Sequence, residues 1–298
     1  MTLRTGALLL LVGTLWGLNW PAVRILLDAL EPITLRALAF PTAAAVLAVL
    51  CALRGTRLLP DAGDMVRIAG VSFFLIFGFN VLVTFGQLMV ETSQAAIIAY
   101  TMPAMTAVLA VPVLGERLSW RVLAALAVGM TGIAVLAAGD PAALIAAPAG
   151  TCVMLAAALS WAIGNVGVKR VDWRTPMMTR AVWFFAAATL YTAPLALIFE
   201  APLTRLGDPA AHAPLTLAVF AFHVLGPMVI CYVLWTTLLA KLPATIAAVS
   251  MLTAPVVGVV SSLAVLGEPL TPAKGVALAL IIASIMVSLK PQQRVATA

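Results

Sequence analysis

The chain alternates long apolar runs with short polar connections. Ten runs reach about 20 residues, the length that an α-helix needs to cross a bilayer core of roughly 30 Å. The runs cover residues 6–27, 33–53, 66–88, 93–113, 119–138, 149–168, 177–198, 214–238, 244–266 and 272–289. They are too long and too evenly apolar for the alternating strands of a membrane β-barrel. The pattern predicts an all-α polytopic membrane protein with ten transmembrane helices.

An internal duplication divides the chain into two halves. Residues 95–136 and 247–288 align with a constant offset of 152. The matched positions are Pro103 with Pro255, Gly115 with Gly267, and Glu116 with Glu268. Each half holds five runs, and an odd number inserts the second copy upside down in the membrane. We therefore expect two inverted five-helix repeats, residues 1–140 and 141–298.

Composition and charge place the chain in a membrane and orient it. The residues are 63% hydrophobic and 9% charged, which excludes a soluble domain of this length. Most of the 17 Lys and Arg residues fall in connections that share one side of the membrane. The positive-inside rule makes that side cytoplasmic and puts both termini there, in a bacterial inner membrane. The basic residues left on the outer side are Arg24, Arg36, Arg205 and Lys274.

The same bias and anionic lipid explain the net charge of +6, so we predict no binding to nucleic acid. The first run is interpreted as a retained helix, since it is too long for a cleaved signal peptide. Cys51, Cys152 and Cys231 lack the spacing of a metal site. The chain has no Walker A pattern and no glycine-rich dinucleotide loop. We expect no cofactor, no metal and no enzymatic activity.

Two motifs resemble those of a known transporter family. One is Trp-Gly-x-Asn at 16–19, and the other is Ser/Thr-x-Ala, proline and Gly-Glu, beginning at Ser93 and again at Thr245. Together they resemble the drug/metabolite transporter superfamily, in its ten-helix EamA-type branch, over almost the whole chain. The resemblance implies export of amino acids, other metabolites or toxic compounds, with YddG-like amino-acid exporters the nearest group. It also implies that the first, third, fourth, sixth, eighth and ninth helices line a central cavity.

Polar and aromatic residues near the middle of these spans are the candidate substrate-binding residues. A polar group inside a span needs a partner or a water-lined cavity. The candidates are Trp16, Asn19, Trp20, Asn80, Tyr100, Trp161, Asn165, His223, Tyr232 and Trp235. The alternative interpretation is structural: tryptophans anchor at the membrane interface, and asparagines join helices by hydrogen bonds.

Two ionisable residues are candidates for ion coupling. His223 is the histidine inside a span, and histidine can carry protons near neutral pH. The alternative is a neutral histidine bonded to a backbone carbonyl. Glu91 lies at the outer end of the third span, where it either touches a substrate amine or is solvated.

Pro103 and Pro255 occupy equivalent places in the two copies. Proline removes a backbone donor and frees the carbonyl four residues earlier, which predicts kinks beside the cavity. We expect the fourth and ninth helices to bend during transport, unless the kinks are fixed for packing.

A cavity of amides, hydroxyls and aromatic rings suits a zwitterionic or neutral solute with an apolar part. The first span holds no acid, unlike the small four-helix multidrug relatives, and no basic cluster at mid-span suits phosphorylated sugars. The sequence predicts an exporter of small metabolites, foremost aromatic or neutral amino acids, working by alternating access. A multidrug exporter is the alternative, followed by a non-transporting sensor or scaffold. Proton coupling and the choice between monomer and homodimer stay open.

Overall fold

The computed structural model describes residues 3–115, 120–139, 148–200, 208–234 and 253–289, and every long element in these ranges is a helix. The helices are α1 Leu3–Ala29, α2 Pro32–Leu53, α3 Ala62–Met89, α4 Thr92–Leu114, α5 Trp120–Gly139, α6 Pro148–Arg170, α7 Met177–Phe199, α8 Pro214–Leu234, α9 Thr253–Leu266 and α10 Pro272–Leu289. Within the described residues, α1–α4 and α6–α8 are long and apolar enough to cross a membrane.

The apolar stretches described for α5, α9 and α10 are shorter. The structure confirms a helical protein with several candidate membrane spans. The ten-span count, the inverted repeat and the side on which the termini lie stay predictions.

Proline and glycine set many helix boundaries. The helices α2, α6, α8 and α10 begin at proline, whose missing N–H would have no helical acceptor at that position. Gly115 ends α4 and Gly267 follows α9, with φ of 70° and 69°. Both are left-handed conformations that glycine adopts without a steric cost. The two glycines are the pair matched by the sequence duplication.

A π-helical segment interrupts α3 at Phe73–Gly78 and α8 at Val224–Ile230. Such segments shift the hydrogen-bond register and are rare, and they often lie at functional sites. Moved by 152 residues, the first segment would cover 225–230, within one residue of the second. The backbone irregularity therefore repeats with the same offset as the sequence.

The helices also pack in a pairwise pattern. Among the described residues, α1 packs on α9, α4 on α6, α2 on α7 and α5 on α10, while α3 contacts α6 and α8 contacts α1. In a duplicated chain of ten helices, each helix has a counterpart five places along, so that α1 corresponds to α6 and α4 to α9. Replacing every helix by its counterpart gives the same set of contacts.

The contact between α3 and α6 is close because glycines let the two backbones approach. A Cβ placed on Gly164 of α6 would lie 2.6 Å from the Cα of Leu75 in α3. Gly78 and Gly86 of α3 face Ser160 and Met154 of α6 in the same way. Small residues at helix crossings are the usual device by which membrane helices pack.

One end of the bundle, which we call the Glu268 end, is held together by carboxylates at helix starts. The side chain of Glu268 accepts the backbone N–H groups of Thr92 and Ser93, at 2.6 and 2.9 Å, where α4 begins. Lys274 is buried, forms an ion pair with Glu91 and lies 4.0 Å from Glu268. Glu268 is thus structural, and its sequence counterpart Glu116 lies outside the described residues.

At the same end, Glu200 accepts the N–H groups of Ile33 and Thr34 at the start of α2, at 2.9 and 2.6 Å. Carboxylates suit this position because the first N–H groups of a helix have no partner within the helix.

The opposite end, the Asp64 end, has its own buried carboxylate. Asp64 accepts hydrogen bonds from the backbone N–H groups of Arg174 and Thr175 and from the Thr175 hydroxyl, at 2.8–3.0 Å. Arg67 completes the cluster with an ion pair of 3.3 Å. The start of α3 is therefore tied to the connection before α7.

Candidate functional site

A buried polar network joins four helices. The Nη1 of Arg36, in α2, lies 2.8 Å from Nε2 of His223, in α8. The Nδ1 of His223 lies 2.6 Å from Oδ1 of Asn19, in α1. The Nε of Arg36 donates to the backbone carbonyl of Asn80, in α3, at 3.2 Å. Arg36 and His223 are 1% and 0% exposed, so the network lies inside the bundle.

The network lies near the middle of the bundle. Counted at about 1.5 Å per residue, Asn19, Asn80 and His223 each lie about 13–15 Å from the Glu268 end of their helices. A bilayer core is roughly 30 Å thick, so this depth is close to its midplane. Three candidates chosen for their position in separate spans thus meet at one level.

The contacts determine the protonation state of His223 in this conformation. Arginine only donates hydrogen bonds, so Nε2 of His223 must accept from Arg36. The proton of the ring is then on Nδ1, from which it is donated to Asn19. A second proton, on Nε2, would face the guanidinium and break the contact. His223 is therefore neutral here, and its role in ion coupling stays a prediction.

Arg36 corrects the sequence-based charge count. That count places Arg36 among the basic residues outside the membrane, whereas the structure buries it within α2. The reason is that the side chain is directed into the bundle, where Asn80 and His223 accept its hydrogen bonds. The sequence did carry a signal: position 36 lies inside the apolar run 33–53, and a charge inside a span is a candidate for a functional site.

Trp20 and Tyr100 lie in a packed core. Their ring centroids are 6.5 Å apart, and each is 7% exposed. A Cβ on Gly258 would lie 2.9 Å from Cδ1 of Trp20, so α9 closes over the indole. Trp20 and Tyr100 are thus more deeply buried than the half-buried candidates. A direct contact with substrate stays a prediction for both.

Trp16 is held by the irregular part of α8. Its Nε1 donates to the carbonyl of Pro227, at 3.1 Å, inside the π-helical segment. From Val12 to Leu27 no residue of α1 is exposed, so neighbouring helices surround this part of the helix. Trp16 and Asn19 are nevertheless half-buried, and we take the space that they face as the candidate cavity.

A second group of candidates lies nearer the Asp64 end. Trp161 packs on Phe79 with ring centroids 4.7 Å apart, and Tyr232 meets Phe185 edge-on at 5.3 Å. By helix rise, Trp161 is about 20 Å and Tyr232 about 27 Å from the Glu268 end. Both are half-buried.

Asn165 is half-buried at about 26 Å from the Glu268 end, and its amide forms no hydrogen bond with the described residues. Trp235 lies outside the described residues. The polar network and this second group therefore occupy different depths of the bundle.

The two prolines lie in different local settings. The first helical part of α4 ends at Ala99 and the second begins at Met102, so the helix is interrupted beside Pro103. Pro255 is buried and is the third residue of α9, and the residues just before that helix are outside the described ranges. A gating role for either proline stays a prediction.

Glu91 lies at the Glu268 end, away from the network. Its carboxylate forms an ion pair with the buried ammonium of Lys274, and its side chain is 41% exposed. This arrangement accounts for Glu91 as a link between the start of α4 and α10. Coupling through Glu91 stays a prediction.

The sequence is similar to those of known membrane transporters. A sequence model of the EamA-like transporter family matches residues 4–138 and 148–290. A probable amino-acid metabolite efflux pump of Escherichia coli K12 is 26% identical over 91% of this chain and 90% of its own. A probable terminal-alkyne amino-acid exporter of Streptantibioticus cattleyicolor is 29% identical over 94% of this chain and 91% of its own.

One solved crystal structure, of a protein 20% identical to this chain, superposes with a TM-score of 0.69 over 97% of both chains. At that identity the likeness supports the fold alone.

Proposed function

This chain belongs to the EamA-like transporter family, and from that premise we propose that it exports amino acids across the bacterial inner membrane. The observation that carries the proposal is the network at mid-depth, where Asn19, Arg36 and the backbone of Asn80 in the first half meet His223 in the second. A transporter with alternating access has its substrate site at such a place, between the halves and near the midplane. Relatives named as amino-acid efflux pump and exporter support the solute class.

We further propose that the two halves form an inverted repeat of five helices each. Three observations support the repeat: the sequence offset, the π-helical segments at equivalent places, and the helix pairing that survives exchange of the halves. In transport the halves rearrange around the network, and α4 bends where it is interrupted beside Pro103.

The proposed orientation puts the Asp64 end in the cytoplasm and the Glu268 end outside. Two exposed leucines offer a matched test: Leu59 lies between α2 and α3 at the Asp64 end, and Leu270 lies between α9 and α10 at the other. They are 72% and 65% exposed. In a Cys152→Ser background, a membrane-impermeant maleimide added to intact spheroplasts is expected to label Leu270→Cys. Leu59→Cys is expected to react only after permeabilisation. The reverse pattern would refute the orientation.

Export itself is tested by counterflow in proteoliposomes. Vesicles loaded with an unlabelled amino acid are expected to accumulate labelled phenylalanine, methionine or threonine. Asn19→Ala is expected to reduce the initial rate by about 10-fold, since it removes a hydrogen bond to His223 worth about 1.5 kcal/mol.

The matched control is Leu10→Ala, on the same helix, whose side chain is 57% exposed and distant from the network. It should transport like the unmodified protein. Vesicles that accumulate no amino acid but extrude lipophilic cations would favour the multidrug alternative, to which the aromatic residues near Trp161 are also suited.

A further inference from the structure

Arg36 is a buried cation with no counter-ion in the part of the chain that the structure describes. Among the described residues, no carboxylate lies within the 4.0 Å of an ion pair, and the partners of Arg36 are a neutral imidazole and a backbone carbonyl. Removing a guanidinium from water costs several kcal/mol, which neutral acceptors offset only in part. In proteins such a charge is ordinarily paired. With no carboxylate partner among the described residues, the guanidinium is a candidate for binding an anionic group at mid-depth.

Two of the three nitrogens of the Arg36 guanidinium donate hydrogen bonds to described residues. Nε donates to Asn80, and Nη1 donates to His223. Nη2 forms no hydrogen bond with any described residue, so both of its hydrogens lack an acceptor in this part of the chain. The amide nitrogen of Asn80 donates to the Ile76 carbonyl at 2.8 Å, within the π-helical segment, and the amide oxygen forms no hydrogen bond with Arg36. The network therefore fixes the plane of the guanidinium and leaves one nitrogen available.

We infer that Nη2 of Arg36 binds the carboxylate of the transported solute, an inference that rests on the proposed export of amino acids. A planar guanidinium held in place is the group that best matches a carboxylate in geometry and charge. One uncompensated positive charge suits one carboxylate better than a doubly charged phosphate. His223 and Asn19 are positioning residues: the imidazole holds Nη1, and the amide oxygen holds the imidazole.

We place the route to Arg36 beside the half-buried part of α1. Asn19 is half-buried and is joined to Arg36 through the two ring nitrogens of His223. An amino acid in the cavity can thus place its carboxylate against Arg36 while its side chain contacts Trp16 or the aromatic residues deeper in the bundle. The apolar part of the solute would then point toward the Asp64 end.

The first test compares three solutes in the unmodified protein. Phenylalanine carries the carboxylate, phenylalaninamide lacks it, and 3-phenylpropanoate keeps it without the amine. Counterflow in proteoliposomes, corrected for leak into protein-free vesicles, is expected to favour phenylalanine over the amide by about 10- to 100-fold, as for loss of a charged hydrogen bond. The 3-phenylpropanoate should inhibit phenylalanine counterflow.

The outcomes separate the two proposals. Equal transport of phenylalanine and its amide would overturn carboxylate recognition and leave amino-acid export standing. Transport of none of these solutes, nor of any other amino acid, would refute the proposed function and this inference with it.

The second test assigns the preference to Arg36. Arg36→Gln should lose the preference and transport phenylalanine and its amide at equal rates. Arg36→Lys keeps the charge without the planar fork, so its preference should be smaller than that of the unmodified protein but persist. An unchanged preference in either variant would overturn the assignment. Should Arg36→Gln fail to fold, as judged by size exclusion, the lysine variant alone decides.

Discussion

Replacing His223 by leucine is expected to lower the free energy of unfolding by about 3 kcal/mol, the cost of leaving a buried charged donor and an amide without their hydrogen bonds. The substitution leaves Nη1 of Arg36 and the amide oxygen of Asn19 without their hydrogen bonds. The guanidinium cannot turn to water, because Arg36 is 1% exposed. The effect should appear as a lower thermal midpoint in detergent, followed by intrinsic tryptophan fluorescence.

Comparison with a double variant identifies the cause of this destabilisation. Adding Arg36→Met to His223→Leu removes the charge as well, and apolar replacement of a buried polar pair is often neutral or stabilising. The double variant is therefore expected to be more stable than His223→Leu alone. The matched control is Leu217→Ala, on the same helix, whose side chain is 53% exposed. Equal destabilisation by the single and double variants would contradict the network as described.

The second large effect is expected from Gly164→Ala. The added Cβ would lie 2.6 Å from the Cα and 2.8 Å from the backbone nitrogen of Leu75. Backbone atoms of a packed helix cannot move aside as a side chain can, so α3 and α6 must separate. Overpacking of this kind costs about 1–3 kcal/mol or more. The separation should also disturb Asn80, which lies on α3 one turn and a half from Leu75, and so reduce counterflow.

The control for this substitution is Gly70→Ala. Gly70 lies on α3, is exposed, and has no atom within 4 Å of an added Cβ. Alanine in place of an exposed helical glycine is expected to be neutral or to add up to about 1 kcal/mol of stability. Thermal midpoints of the two variants give the comparison. A Gly164→Ala protein as stable as Gly70→Ala would show that the α3–α6 contact is looser than described.

The helices could be predicted from the sequence because the membrane imposes a local rule. Each span must satisfy its own backbone hydrogen bonds and present about 20 apolar residues to lipid, and both requirements can be read along the chain. The predicted run 33–53 and the helix Pro32–Leu53 differ by one residue at the start. The match of Pro103 and Gly115 to Pro255 and Gly267 likewise needs only the sequence.

The π-helical segments could not be predicted in this way. Phe73–Gly78 and Val224–Ile230 share no motif that marks a π-turn, and both lie inside runs that read as regular helix. Their register depends on what the neighbouring helix offers: Ser160 of α6 donates to the carbonyl of Phe74, and Trp16 of α1 to that of Pro227.

By itself, the sequence determined that this protein is a helical membrane protein of a transporter family, and that polar side chains lie midway along several spans. Only the tertiary structure decided which of them meet. Arg36 and His223 are 187 positions apart, and no local pattern links them. Tyr100 and Trp20, candidates of equal standing in the sequence, lie in a packed core instead. Depth along a helix follows from counting residues, whereas the direction of a side chain follows from which helices surround it, and that depends on packing throughout the bundle.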